Sequence, residues 1–265
     1  MNKYLTIGRI FFGAGITVLG LMHFVFPGIR PLILPELTDI PAAFSFVGYA
    51  TGVLLTASGL LIAIGWKFNA VSLVMGVVFL GLFVFGHLPW FLTAGPFNKY
   101  WVDTNKMIAL SGGFLVVSTV GSPAYQNRMM LGLVKLAPLG KYLFAIMLYN
   151  FAVNHISNFQ GISKLVPKYI PFPQFWTYLG GVTLMGSAIS IFSGFKLRTI
   201  MLLLSLNLFI WLLMLHLYYT ILYPEWKEGE NFVGLLSCLC FCGTALVVSQ
   251  ESSESNIAVR DTRRI

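Results

Sequence analysis

Long apolar segments, separated by short polar or proline-containing stretches, make up most of this chain. Segments of about 20 apolar residues are long enough to cross the hydrocarbon core of a bilayer as an α-helix. The predicted helices, given by approximate limits, are eight: 5–26, 44–65, 69–92, 106–122, 139–158, 174–193, 198–222 and 232–249. Glycine, proline or histidine interrupts several of them, which membrane helices tolerate when neighbouring groups satisfy the freed backbone atoms. The pattern predicts an all-α, polytopic membrane protein.

Conspicuous residues of the first half of the chain recur in the second half. The recurring pairs are His23 and His155, Pro35 and Pro167, and Pro41 and Pro173, all 132 residues apart, and His87 and His216, 129 residues apart. We interpret this as two four-helix repeats, over 1–125 and 139–249, which are parallel because each contains an even number of helices. A cytoplasmic connector over 126–138 joins them, and a polar, flexible cytoplasmic tail over 250–265 follows.

The composition excludes an ordinary water-soluble fold. Hydrophobic residues make up 57% of the chain and charged residues 10%, which leaves too little polar surface to cover a soluble domain. The first apolar segment carries Lys3 and Arg9 and lacks a convincing cleavage site with small residues. We therefore expect a retained helix there rather than a removed signal peptide.

The distribution of basic residues predicts the orientation of the helices. With eight helices, the side that holds both termini contains eleven of the 17 Lys and Arg residues and three of the nine acids, a formal charge of +8. The other side sums to zero. The positive-inside rule then places both termini in the cytoplasm, which we take to be that of a bacterium with the chain in its inner membrane. The basic charge indicates contact with the lipid bilayer and its anionic headgroups, and does not indicate nucleic-acid binding.

All four histidines fall near the outer, periplasmic ends of predicted helices. His23, His87, His155 and His216 are candidate ligand-binding residues, because ionisable side chains inside a membrane commonly mark functional sites. The sequence leaves open whether they form one cluster or two pairs, and whether they only hydrogen-bond neighbouring helices. Haem ligation by two imidazoles is a further alternative. The sequence lacks the close His-His or Glu-x-x-His spacings that would favour a metal site, and it assigns no catalytic residue.

Two acid and asparagine pairs precede the fourth and eighth predicted helices. These are Asp103 with Asn105, and Glu230 with Asn231. One interpretation is that their side chains cap the two helices. The other is that Asp103 or Glu230 hydrogen-bonds a histidine and fixes its tautomer, which would make all four residues part of a polar pocket.

Residue motifs in both halves resemble the DoxX family of four-helix membrane proteins. In the first half these are His23-Phe24, a loop punctuated by prolines, and Phe44-Ser45-Phe46-Val47-Gly48. In the second half, His155 is followed by Pro167, Pro173 and Trp176-Thr177-Tyr178-Leu179-Gly180-Gly181. The resemblance covers nearly the whole chain, once per half. One departure is that Thr51 and, approximately, Leu184 stand where many members have a carboxylate.

The resemblance implies a role linked to redox chemistry, since members include small subunits associated with thiosulfate oxidation by quinone. We therefore expect an accessory or quinone-interacting component of a membrane redox process, acting with a partner protein. Its pocket would lie on the periplasmic side and be lined by the histidines. The alternative, from a different class, is a permease-like carrier or a structural membrane subunit without redox chemistry.

Overall fold

The computed structural model describes residues 2–35, 46–94, 97–121, 125 and 127–251. Two sets of residues named above lie outside these ranges. They are Pro41, Phe44 and Ser45 of the first motif, and residues 252–265 of the predicted tail.

The described residues form long helices and no strands. The long helices are α1 (Lys3–Val25), α2 (Phe46–Ile64), α3 (Phe68–Ala94), α4 (Trp101–Ser118), α5 (Arg128–Ser157), α6 (Pro173–Ser193), α7 (Leu197–Leu222) and α8 (Glu230–Val248). All of these except α4 are long and apolar enough to cross a membrane. The prediction of an all-α chain with multiple membrane-crossing helices is thus confirmed for seven helices, and a lipid bilayer is their natural environment.

The fourth helix differs from its predicted limits. It begins at Trp101 rather than near residue 106, so its first two turns contain the polar run Asp103 to Lys106. Every residue of α4 except Val102 is buried. A helix surrounded by other helices needs no lipid-facing apolar surface, and its polar side chains can be satisfied by its neighbours. This explains how the most completely buried helix is also the least apolar.

The order of helix contacts is the same in the two halves of the chain. In the first half α1 packs against α2 and α3 against α4; in the second half α5 packs against α6 and α7 against α8. Between the halves, α4 contacts α5 and α8 contacts α1, while α4 and α8 contact each other. If α1 to α4 are matched in order with α5 to α8, each of these contacts in one half has its equivalent in the other.

Paired glycines allow the closest helix approaches. A Cβ atom added to Gly8 of α1 would lie 2.7 Å from the carbonyl oxygen of Gly243 in α8. A Cβ atom added to Gly140 of α5 would lie 2.7 Å from the carbonyl oxygen of Gly112 in α4. Small residues let helix backbones approach closely in membranes, where close packing replaces the hydrophobic effect between helices.

The backbone irregularities also occur at matched places. A π-helical segment interrupts α3 at Phe83–His87 and α7 at Leu212–Leu217, and each contains one of the histidines. Lys67 and Lys196, which precede α3 and α7, both have left-handed backbone angles. In α7, the Tyr169 hydroxyl donates a hydrogen bond to the carbonyl oxygen of Met214 within the π-helical segment. Such segments leave backbone groups unpaired in the helix and frequently occur at functional sites.

We expect Gly243→Ala to destabilise the bundle, because its added methyl group would meet the α1 backbone. Overpacking of this kind costs about 1–3 kcal/mol in the free energy of unfolding. Gly186→Ala is the matched control, since a Cβ at that position meets no atom within 4 Å. Unfolding by SDS titration in mixed micelles, followed by circular dichroism, would compare the two variants. Equal stability of both would contradict the helix packing described here.

Candidate functional site

Four consecutive polar residues at the start of α4 form the core of the candidate site. Asp103, Thr104, Asn105 and Lys106 are 8, 3, 1 and 7% exposed. Successive residues of an α-helix point about 100° apart, so four in a row point in all directions around the helix axis. Asp103 and Lys106, three residues apart, share one face and can bind each other, while Thr104 and Asn105 need partners on other sides of α4.

Lys106 carries the electrostatic part of the site. Its Nζ lies 2.6 Å from Oε1 of Glu230 in α8 and 3.3 Å from Oδ1 of Asp103. This residue was not predicted from the sequence, although a lysine at the edge of a predicted membrane helix needs a buried partner and could have indicated it. The lysine and Glu230 join the two halves of the chain, because α4 and α8 belong to different halves.

Thr104 and Asn105 bind two further helices. The Thr104 hydroxyl lies 3.4 Å from Nδ1 of His87 in α3, and Oδ1 of Asn105 accepts a hydrogen bond of 2.7 Å from Asn150 of α5. The other ring nitrogen of His87, Nε2, lies 3.2 Å from the carbonyl oxygen of Ile33. A carbonyl only accepts, so Nε2 carries the proton and Nδ1 accepts from the threonine. Both nitrogens of His87 are therefore occupied.

We call this group the polar hub. Its members are His87, Asp103, Thr104, Asn105, Lys106, Asn150 and Glu230. Through these residues α4 binds α3, α5 and α8 by side-chain hydrogen bonds or ion pairs, in addition to its apolar packing.

The predicted helix caps are wrong in detail. Tyr100 and Gly229 occupy the N-cap positions of α4 and α8, and neither makes a side-chain capping hydrogen bond. Asp103 and Glu230 lie in the first helical turns, where a negative charge complements the helix dipole, but the hydrogen bonds of both carboxylates go to Lys106. Asn231 instead donates to the carbonyl oxygens of Tyr219 and Tyr223 and fastens the end of α7 to α8.

His216 packs against α8. Its Nδ1 would be 3.2 Å from a Cβ atom added to Gly234, so its ring lies against the backbone of that helix. Gly234 comes one helical turn after Glu230, so His216 meets α8 next to a residue of the hub.

His23 and His155 share a different arrangement. In each, Nδ1 lies close to the carbonyl oxygen four residues earlier, at 3.1 Å from Leu19 for His23 and 2.7 Å from Phe151 for His155. The carbonyl fixes the proton on Nδ1, so Nε2 is left as an acceptor. Nε2 of His23 is buried and has no hydrogen-bond partner among the residues that the structure describes, and the side chain is 1% exposed. His155 is half-buried.

The histidines do not bond to one another in the part of the chain that the structure describes. His23 packs against Gly52 of α2, and His155 packs against Gly180 and Gly181 of α6. Within the same described ranges, no three or more His, Cys, Asp or Glu side chains are grouped so that they could hold a metal ion.

An apolar cleft of about 160 Å³ lies between α2, α3 and the segment after α1. Ile33, Leu34, Leu54 and Phe79 are among its walls. Thr51 also lines it, but its hydroxyl donates to the Val47 carbonyl oxygen within α2. Since an apolar cavity of roughly 150 Å³ holds a benzene molecule, this cleft can accept one ring or a short hydrocarbon segment.

Arg30 connects the end of α1 to the segment that precedes α8. Its Nη2 donates to the carbonyl oxygen of Phe26, and its Nη1 donates to that of Glu228, which precedes α8. Burial lowers the pKa of the guanidinium, and the charges of Glu228 and Glu230 oppose that effect. The sequence analysis did not single out this arginine.

No family model matches the chain, and no curated protein or solved structure matches it either. The resemblance to the DoxX family therefore stays a prediction from the residue motifs of the two halves.

We expect Lys106→Met to destabilise the protein strongly, because it leaves the buried Asp103 and the half-buried Glu230 without their cation. Removing one partner of a buried ion pair costs about 3–5 kcal/mol in the free energy of unfolding. Adding Asp103→Asn and Glu230→Gln to the same chain removes the unpaired charges and should restore most of that loss. The measurement is again SDS unfolding in mixed micelles.

Lys141→Met is the matched control for this prediction. Lys141 pairs with Glu251 at 2.6 Å, but both side chains are partly exposed, so its loss should cost at most about 1 kcal/mol. The hub would lose its structural importance if the Lys106 and Lys141 variants were equally stable.

Proposed function

We propose that this chain is a membrane protein of two parallel DoxX-like repeats that binds a quinone as an accessory component of a membrane redox process. The redox partner would be a separate protein, because the described residues include no soluble domain. In this proposal α4 is the eighth membrane-crossing helix. Its 18 residues extend over about 27 Å, close to the thickness of the hydrocarbon core.

Three independent features support the two repeats. The first is the equivalent order of helix contacts in the two halves. The second is the pairing of Gly8 with Gly243 and of Gly140 with Gly112. The third is the recurrence of π-helical segments at His87 and His216. Chance similarity of apolar sequence does not account for backbone irregularities and close contacts at matched positions.

The observation that carries the ligand proposal is the protonation pattern of His23 and His155. Each has its Nδ1 proton held by its own helix, so its Nε2 can accept a hydrogen bond from the hydroxyl of a hydroquinone. Apolar surroundings exclude water, which strengthens such a bond.

We propose that the hub and the histidines lie toward the periplasm of a bacterial inner membrane, with both termini in the cytoplasm. The excess of basic residues at the opposite end of the bundle supports this orientation. Trp90, Trp226 and Tyr223 are exposed near the hub, where aromatic side chains suit a membrane interface.

A carrier is the second candidate function, and the Lys106–Glu230 pair favours it. This pair joins the two halves, and moving one repeat against the other is how many carriers expose a central site alternately to each side. Ionisable residues buried in a membrane bundle often line such a path. Uptake of a solute into proteoliposomes without any redox partner would support this candidate over the first.

We expect the gently purified protein to retain a quinone, detected by organic extraction and mass spectrometry in an amount comparable to that of the protein. The double variant His23→Ala with His155→Ala should retain at least about tenfold less, because it loses both acceptors. Gly186→Ala serves as the control and should retain the wild-type amount. A wild-type preparation without quinone, even after quinone is added in excess, would contradict the proposed function.

A further inference from the structure

The two matched histidines differ in how far they are covered. His23 is fully buried, whereas His155 is only half-buried. The two rings make the same hydrogen bond within their own helices, since Nδ1 of each lies close to the carbonyl oxygen four residues earlier. The segments that directly follow α1 and α5 also differ.

In the first half, hydrogen bonds and buried side chains fix the segment after α1 against the bundle. Arg30, Leu32 and Ile33 are buried. The Arg30 guanidinium binds the end of α1 on one side and Glu228 on the other, while the carbonyl oxygen of Ile33 binds His87. These bonds fix the position of the segment that directly follows the helix of His23.

In the second half, the corresponding arginine is missing. The 132-residue spacing places Ile162 at the position of Arg30, and an isoleucine cannot make these hydrogen bonds. Leu165, Tyr169 and Phe172 of this segment are more than half exposed, at 55, 52 and 76%. Val166 and Ile170 of the same segment are buried, and Tyr169 donates a hydrogen bond to Met214, so the segment is attached to the bundle while His155 stays half-buried.

The surroundings of His155 suit a flat ring. Gly180 faces the edge of the imidazole, since a Cβ added there would lie 3.4 Å from Nε2. The rings of Phe159 and Tyr178 stack beside it, with centroids 4.2 Å apart and planes at 23°. Tyr178 lies three residues before Gly181, so the two share a face of α6, and a Cβ added to Gly181 would lie 3.1 Å from Cβ of His155. The aromatic pair therefore lies on the face of α6 that packs against His155. Aromatic walls and one hydrogen-bond acceptor are the groups that bind an apolar ring with a hydroxyl.

We propose that the second half alone holds the open ligand site, and that His155 Nε2 accepts the hydrogen bond of a hydroquinone hydroxyl there. The first half keeps the same histidine buried, with the segment after α1 fixed by Arg30. One molecule therefore binds per chain. This inference rests on the proposed function for the identity of the ligand, but the difference in access to the two histidines does not.

Binding of a short-chain hydroquinone to the protein in nanodiscs tests the site. We expect a stoichiometry near one for the wild type, about tenfold weaker binding for His155→Phe, and binding within about twofold of wild type for His23→Phe. Gly180→Val, which fills the space at the imidazole edge and leaves the acceptor in place, should also weaken binding about tenfold. Loss of binding in His23→Phe with binding kept in His155→Phe would overturn the proposal.

Carbethoxylation of histidines by diethyl pyrocarbonate, read by mass spectrometry, tests access without any quinone. Unprotonated Nε2 of His155 should react readily, and that of His23 should be protected until Arg30→Met releases the segment after α1. In that variant the hydroquinone stoichiometry should rise from one toward two. Equal reactivity of the two histidines in the wild type would refute the difference in access. If His155 reacts faster than His23 but no hydroquinone binds, the difference in access stands and the quinone function is refuted.

Discussion

Four polar side chains in a row must be satisfied inside a bundle whose outer surface is apolar, and the rest of the structure depends on this constraint. An unpaired polar group in hydrocarbon costs several kcal/mol, so Asp103, Thr104, Asn105 and Lys106 cannot face lipid. They point in all directions around α4, which requires protein partners on every side. The helix is buried for that reason, and its partners His87, Asn150 and Glu230 come from three different helices.

The helices around α4 need an apolar outer surface, because they face lipid on one side and protein on the other. Their inner contacts use small residues, as in the approach of Gly8 to Gly243. At the end of the bundle away from the hub, Arg9 is buried and donates to the carbonyl oxygens of Ile62 and Ala63, which end α2. A cation at the carboxyl end of a helix complements the helix dipole. Charged groups at both ends are thus paired with protein atoms.

The two halves have the same order of helix contacts and matched π-helical segments, and they differ in side chains around the histidines for which ligand binding is proposed. His87 is held by both ring nitrogens and connects helices, which is a structural role. For His23 and His155, Nδ1 binds a carbonyl oxygen of the same helix, and the two side chains differ in exposure. In the proposed function, this difference leaves His23 a part of the fold and makes His155 the residue that binds the ligand. The polar hub joins the two halves into one bundle through Lys106 and Glu230.

The sequence by itself determined the all-α class, the approximate limits of six apolar helices and the paired positions of the histidines, whereas α5 begins at Arg128, within the predicted connector, rather than near residue 139. These follow from the period and length of apolar segments, which report the side chains that face lipid. The start of α4 at Trp101 could not be predicted in this way, because its polar turns face other helices and their partners are distant in sequence. Lys106 lies 124 residues from Glu230. For the same reason, the sequence suggested capping roles for Asp103 and Glu230, whereas the tertiary structure brought both to one lysine. The position of the segment after α1 likewise depends on the contact of Arg30 with Glu228, which only the folded chain makes.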